Sequence, residues 1–444
     1  MNIGPSPFAW LAFDKDGALI DPEAMARVNE IANRDGITDL VIIAHGWNND
    51  LDNAQAFYRT LWRNASAALE ALDADPASFA VIGILWPAKS YDARYDGAEL
   101  YAGESGSGGS LSVDGDVADA ETDAPHDHLE SMLAQVRAFV GDDQAFDRLE
   151  QAARRALDGT DETAPLHFFQ TAKTVLGYDP EEPDPELRQD ASQFRRTETS
   201  DDASLLLAAF SSAKTIDIEP GTGAAQSLGS AVRSIFSGAR SGVTWALNKL
   251  TYYTMKKRAG VVGEALAGTF AGLRVERALR LHLVGHSFGA RLVTAAAAAL
   301  PDIPRLEFRS LTLLQGAYSH NGLTDGKGPF AKVVGKPTGP ISFTHTHNDK
   351  ACTIAYPIAS RLVLDSALGL GDANDPYGAM GANGPRLTGE MMAPDCATTQ
   401  FAPAIGKINR FLADSYVVKT ADSDAHNNVA NAQCGQLVAA AITA

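Results

Sequence analysis

The stretch Leu279–Leu300, "LRLHLVGHSFGARLVTAAAAAL", constrains the fold of this chain more than any other. An apolar run of strand character leads straight into Gly285, and an alanine-rich helical segment begins just after Gly289. A strand and a helix joined by so few residues need a sharp turn. Glycines two residues to either side of Ser287 let the flanking backbones approach without a Cβ clash. A serine at such a turn is held clear of the sheet, at the N-terminus of a helix whose dipole favours negative charge.

The same alternation of strand and helix extends in both directions. Before residue 90 it reads as "FAWLAF", a helix over about 22–33, "TDLVIIA", a helix over about 53–72, and "FAVIGILW". After the serine come "SLTLLQG", "ISFTHTH", a helix over about 350–363, a last strand at "INRFLA", and a final helix in "NAQCGQLVAAAI". Continuous apolar runs that end in loops suit parallel strands covered on both faces. The expected class is α/β, with a mostly parallel central sheet flanked by helices. Residues 1–90 and 260–444 form this core, and residues 91–259 are an insertion of different composition. The insertion is low in apolar residues and rich in Gly, Ser and Asp over 101–128, which reads as a mobile segment. Helices follow over about 129–157 and 165–176. A longer helical pair carries Leu228, Val232, Ile235, Phe236, Ala239, Val243, Leu247 and Leu250 at helical spacing. The insertion is therefore predicted to be a mainly helical cap.

With 37 basic against 55 acidic residues, the net charge of −18 argues against nucleic acid as a partner. No apolar run approaches a membrane span, and the first residues lack the basic start and small-residue cleavage site of a signal peptide, so the expected address is cytoplasmic. Cys352, Cys396 and Cys434 are too few and too scattered for a disulfide framework, and read as reduced and structural. Within this acidic chain, residues 221–263 carry Arg233, Arg240, Lys249, Lys256, Lys257 and Arg258 and no acidic residue. With Phe236, Trp245, Tyr252 and Tyr253 nearby, two readings stand: a lid that meets lipid surfaces, or cap helices whose basic positions are solvated or face the acidic part of the insertion. Nothing in the sequence sets an oligomeric state.

A second signal is "VIIAHGWNND", Val41–Asp50, again at the end of an apolar strand. Acyl transfer needs two backbone N–H groups aimed at a developing oxyanion, one from the residue after the nucleophile and one from a loop after an earlier strand. Phe288 would supply the first and Trp47 the second. Carried by "HGWNN" and "GHSFG", the chain resembles the α/β-hydrolase superfamily in its lipase and esterase branch, over roughly residues 8–90 and 260–440. That resemblance implies an α/β-hydrolase fold and a triad in the chain order nucleophile, acid, base. Asp349, closing "ISFTHTHND", takes the place of the acid, with Asp365 a rival. His426, in "TADSDAHNNV" after the last strand, takes that of the base. The chemistry implied is serine hydrolysis of a carboxylic ester on a small-molecule or lipid-like acyl substrate, with no cofactor and no metal. A peptidase, amidase or thioesterase would use the same triad, and a scaffold that kept the fold without turnover is the reading from another class.

Three further motifs compete. "LAFDKDGALID" resembles the first motif of haloacid-dehalogenase-type phosphatases, but Ala18 stands where that family has threonine. A β-hairpin with "DKDG" as its turn is the reading preferred here. "HTHND" places His345, His347 and Asp349 on one face of a strand and resembles the metal-binding signature of metallo-β-lactamase-type hydrolases, with Lys350 in place of its last ligand. Asp372, Asn374 and Asp375 lie in a glycine-rich stretch without the spacing of a calcium loop.

Overall fold

The computed structural model describes residues 1–47, 49–88, 126–158, 161–179, 181–191, 197–211, 239–357, 377–386, 401–421 and 423–444. The chain divides into two compact units, one of Met1–Val113, Arg258–Tyr356 and Gly371–Ala444, the other of Asp114–Lys257 and Pro357–Leu370.

The first unit is built on one eight-stranded sheet. A short antiparallel pair, β1 (Asn2–Ile3) and β2 (Ser6–Ala12), is followed by helix α1 (Ala24–Ala32), strand β3 (Asp39–Ala44), helix α2 (Leu51–Ala71) and strand β4 (Phe79–Leu85). Between β2 and α1 the chain makes the hairpin expected of "DKDG". Phe13 and Leu19 bridge across it, Gly17 takes φ +86°, and the Asp14 carboxylate accepts the N–H groups of Asp16 and Ala18 at 2.9 and 2.8 Å. Asp14 is thus engaged in closing its own turn, which leaves the phosphatase resemblance without support.

The second unit holds α3 (His126–Val140), α4 (Asp143–Asp158), α5 (Ala164–Val175), α6 (Pro185–Ala191) and α7 (Ser200–Ser211). It also holds the first part of α8 (Ala239–Phe270), whose residues from Arg258 onward belong to the first unit. The single helix expected over 129–157 is broken, because the Asp142 carboxylate accepts the N–H of Ala145 at 3.0 Å and starts a new helix there. Apolar spacing continues across the break and conceals it. The basic positions of α8 are not simply solvated: Lys249 is buried, Lys256 is buried with its Nζ 2.5 Å from Glu186, and Lys257 lies 2.9 Å from Glu182. Leu228, Val232, Ile235, Phe236 and Arg233 lie outside the described residues, as does most of 101–128.

The chain returns to the sheet through β5 (Leu279–His286), helix α9 (Phe288–Ala299), β6 (Leu306–Leu314), β7 (Ile341–His345), β8 (Ile408–Leu412) and the last helix, α10 (Ala432–Thr443). The strand order is β1-β2-β4-β3-β5-β6-β7-β8, and every neighbouring pair from β2 to β8 is parallel. The all-apolar runs read from the sequence are the central strands: every residue of β3 and of β4 is buried. Helix α2 turns Ala54, Tyr58, Leu61, Trp62, Ala65 and Leu69 inward, a single stripe at helical spacing, and α10 packs Leu437, Val438 and Ile442 into the same cluster. Asn64 Nδ2 of α2 donates to Ala430 O, just before α10, at 2.7 Å.

Parallel strands bring their C-terminal ends to one edge, and that is where β5 delivers Ser287. The opposite edge carries a buried polar chain in which Ser310 Oγ and Asp39 Oδ1 each lie 2.8 Å from a nitrogen of His282, and Arg280 closes on Asp39 at 2.6 Å. Among the described residues, no helix is long and apolar enough to cross a membrane.

Candidate active site

Ser287 sits between β5 and α9 with φ 57° and ψ −123°, a left-handed conformation that costs a non-glycine residue free energy and persists only where its surroundings enforce it. The enforcement is visible on both sides. A Cβ on Gly285 would lie 2.4 Å from Gly289 O, and one on Gly289 would lie 2.4 Å from both Ala44 O and His45 O. Only glycine permits helix α9 to start this close to β3 and β5. Backbone bonds then clamp the turn, with Ser287 N donating to Leu314 O at 3.1 Å and Ser287 O accepting from Ala290 N and Ala317 N.

Three of the expected site residues meet here. His426 Nε2 is 2.8 Å from Ser287 Oγ, and His426 Nδ1 is 2.7 Å from Asp349 Oδ2. The partners are 139 and 77 positions apart in the chain, so the fold alone unites them. Asp349 is fully buried, and Ser287 and His426 are buried at 4% and 7% exposure. The loop between β7 and Asp349 is tied down by Asp414, which accepts Thr346 Oγ1 at 2.6 Å and His347 N at 2.9 Å, and Asn348 Nδ2 donates to Asp414 O and Val417 O. After Asp349 the chain enters a short π-helical turn, Ala351–Ala355, in place of the first part of the α-helix expected over 350–363; the rest of that span, and Asp365 with it, lies outside the described residues beyond 357. Asp349 Oδ1 accepts the Cys352 N–H at 2.9 Å.

The "HGW" loop is pressed against this turn. A Cβ on Gly46 would lie 2.7 Å from Ser287 Cβ, and the rings of Trp47 and Phe288, the two expected oxyanion donors, are 6.1 Å apart. His45 anchors the loop from beneath: its N–H donates to Tyr58 Oη at 2.9 Å, its carbonyl accepts Trp86 Nε1 at 3.0 Å, and its ring Nδ1 donates to Gly46 O at 2.8 Å. Buried away from water, His45 is pushed down to about 4 and is neutral.

Burial also opposes a charge on His426, but the Asp349 carboxylate beside it outweighs that effect and holds its pKa above the ordinary histidine value. His286, inside the elbow, is the reverse case. Burial and the neighbouring His426 depress it well below that value, and in its neutral form Nε2 donates to His426 O at 2.9 Å. The Cys352 thiol, 3.9 Å from His426 Nδ1, is pushed up by burial and by Asp349, so it stays protonated and unreactive.

His345, His347 and Asp349 do not form a common face toward a metal. His345 is buried at the end of β7, exposed His347 pairs with Asp414 at 3.0 Å, and Asp349 turns to His426. Among the described residues, the grouping that could hold a metal is Asp349, Cys352 and His426, with ligand atoms all within 4.8 Å of one another. A cation there would displace the proton that joins Asp349 to His426. Asp372, Asn374, Asp375 and Cys396 lie outside the described residues, and Cys434 is a buried free thiol. No family model, curated protein or solved structure matches this chain.

Proposed function

We propose that the chain is a serine hydrolase of carboxylic esters with the α/β-hydrolase fold, working through Ser287, His426 and Asp349. The observation that carries this reading is the unbroken relay from a strained, glycine-flanked serine through one imidazole to a buried carboxylate, at 2.8 and 2.7 Å. Neutral His426 accepts the Ser287 proton at Nε2 as Oγ bonds to the ester carbonyl carbon. The C=O electron pair moves onto oxygen, and the N–H groups of Trp47 and Phe288 donate to that oxyanion. Asp349 holds the Nδ1–H and stabilises the imidazolium without taking its proton. His426 then gives the Nε2 proton to the departing alcohol oxygen, leaving an acyl-Ser287. Water, deprotonated by the same nitrogen, adds to the acyl carbon; the bond to Oγ then breaks, His426 returns the proton to Ser287 Oγ, and the acid is released.

The proposed steps draw on the Ser287, His426 and Asp349 side chains, with the N–H groups of Trp47 and Phe288 proposed as the oxyanion donors. The chain order Ser287, Asp349, His426 and the strand–serine–helix turn support the superfamily assignment. A panel of p-nitrophenyl esters of increasing chain length, beside matching anilides and thioesters, tests the reading. Ester turnover that vanishes in Ser287→Ala is expected, and turnover unaffected by that substitution would contradict it.

A further inference from the structure

The Asp349 carboxylate has a neighbour that the mechanism above does not use. Gln315 follows β6, is fully buried, and takes φ 47°, a second left-handed non-glycine residue close to the triad. Its backbone N–H donates to Thr344 Oγ1 at 3.0 Å. Its side-chain amide lies between Thr344 Oγ1 on one side and two pure acceptors, Asp349 Oδ2 and Gly381 O, on the other. Only one orientation suits all three groups. Nε2 must donate to Asp349 Oδ2 at 3.1 Å and to Gly381 O at 2.7 Å, while Oε1 accepts the Thr344 hydroxyl at 3.2 Å. The reverse orientation would set Oε1 against a carboxylate and a carbonyl inside the protein, where such a repulsion is poorly screened. Gly381 is drawn in to make this contact: a Cβ there would stand 2.8 Å from Gln315 C and 2.7 Å from Cys352 Sγ.

We propose that Gln315 is a positioning residue for the catalytic acid: its Nε2–H holds the Asp349 carboxylate toward His426 Nδ1 and, by sharing the carboxylate's charge, limits how strongly His426 holds a proton. The inference rests on the proposed hydrolase reading and extends it. With Nδ1–H of His426 and N–H of Cys352, Gln315 completes three donors on two oxygens, so the carboxylate cannot rotate without breaking a bond. A donor to a carboxylate spreads its negative charge. Without that donor, more charge faces the imidazole, the imidazolium is favoured, and the base becomes competent only at higher pH. The other groups facing His426 are Ser287, neutral His286, protonated Cys352 and the Asp424 carboxylate. None of them is altered by a change at Gln315.

Gln315→Met keeps the shape and removes the donor. It leaves the Thr344 hydroxyl without its Oε1 acceptor, but Gly381 O still accepts Thr346 N at 2.9 Å and Thr344 Oγ1 still accepts the backbone N–H of residue 315. The expected result is a kcat lower by about tenfold, KM unchanged, and an acid limb of kcat/KM moved up by about half a pH unit or more. A fall in kcat with an unmoved limb would assign Gln315 to packing alone and overturn the proposal, as would full activity. Two NMR measurements need no turnover, so they separate this proposal from the hydrolase reading. The His426 ring is expected to titrate higher in Gln315→Met than in the unaltered protein. In the unaltered protein, where folding is not at issue, the Gln315 side-chain amide is expected to shift as His426 titrates; an amide resonance that does not move would also overturn it.

Discussion

Adding a single methyl group at Gly46 probes the site where its two strand-end loops touch. An alanine Cβ there would stand 2.7 Å from Ser287 Cβ, 3.0 Å from His286 Nδ1 and 3.2 Å from His286 Cε1. Non-bonded carbons settle at about 3.5–4.0 Å, so the loop and the elbow must part by roughly 1 Å. Neither yields easily. The loop is held by the His45 bonds to Tyr58 and Trp86, and the elbow by the 2.4 Å clearances around Gly285 and Gly289. Overpacking of this kind costs about 1–3 kcal/mol of stability, while misplacing catalytic groups by about 1 Å costs roughly a hundredfold in rate. Gly46→Ala is therefore expected to lower kcat on a short p-nitrophenyl ester about a hundredfold, with a modest drop in urea midpoint. Gly268→Ala is the control: near the end of α8, with nothing within 4 Å of its added Cβ, it is expected to gain about 0.5–1 kcal/mol and leave kcat alone. A Gly46→Ala protein with kcat within about twofold of the unaltered chain would refute the packing argument and, with it, Trp47 as an oxyanion donor.

Other perturbations follow from the same contacts. Asp349→Asn would turn an amide N–H toward His426 Nδ1, favour the tautomer that carries its proton on Nε2, and lower kcat by about 10³–10⁴ with KM little changed, read by steady-state kinetics. The neutral base is the active form and its pKa lies above 6.5, so kcat/KM is expected to fall as pH drops through a value above 6.5; a limb well below that would count against the Asp349–His426 pair. His45, His282 and His286 are buried and depressed, so the unfolded chain takes up protons first as pH falls below about 6.5. Stability is then full above that pH and lost toward pH 4, with His45 alone accounting for about 3 kcal/mol, and equal urea midpoints at pH 7 and 5 would contradict this. His426 runs the other way, its contribution present below 6.5 and lost as pH rises through its folded pKa. In the second unit, Glu186→Gln removes a counter-ion from fully buried Lys256 and is expected to cost about 3–5 kcal/mol, most of it recovered by pairing Glu186→Leu with Lys256→Met, as followed by thermal unfolding.

Local pattern carried the strands, the elbow and the glycine-flanked serine, because each depends on residues within a few positions of one another. β3 and β4 read as continuous apolar runs for the reason that they are covered on both faces. Asp349 and His426 were legible only through chain order after late strands; no local feature says that they touch. Other parts were hidden for the same reason. Asp142 breaks a helix by capping Ala145, although the apolar period runs on. Lys256 belongs to a basic run that suggests solvent, yet it is matched by Glu186, seventy positions earlier in the chain. Gln315 ends an ordinary apolar strand, and its role arises from Thr344, Asp349 and Gly381, which only the sheet and its loops bring to it. Cys352, read simply as structural, lies 3.9 Å from His426 Nδ1, a contact that no local pattern announces.

The central claim is that Ser287 is made nucleophilic by His426 and Asp349. Reaction of the full chain with a fluorophosphonate, followed by peptide mapping, tests it most directly. One phosphonyl group is expected on Ser287, absent from Ser287→Ala and formed far more slowly in folded His426→Ala. A folded chain that takes up no label, or takes it up at Ser287 equally fast without the imidazole, would contradict the account.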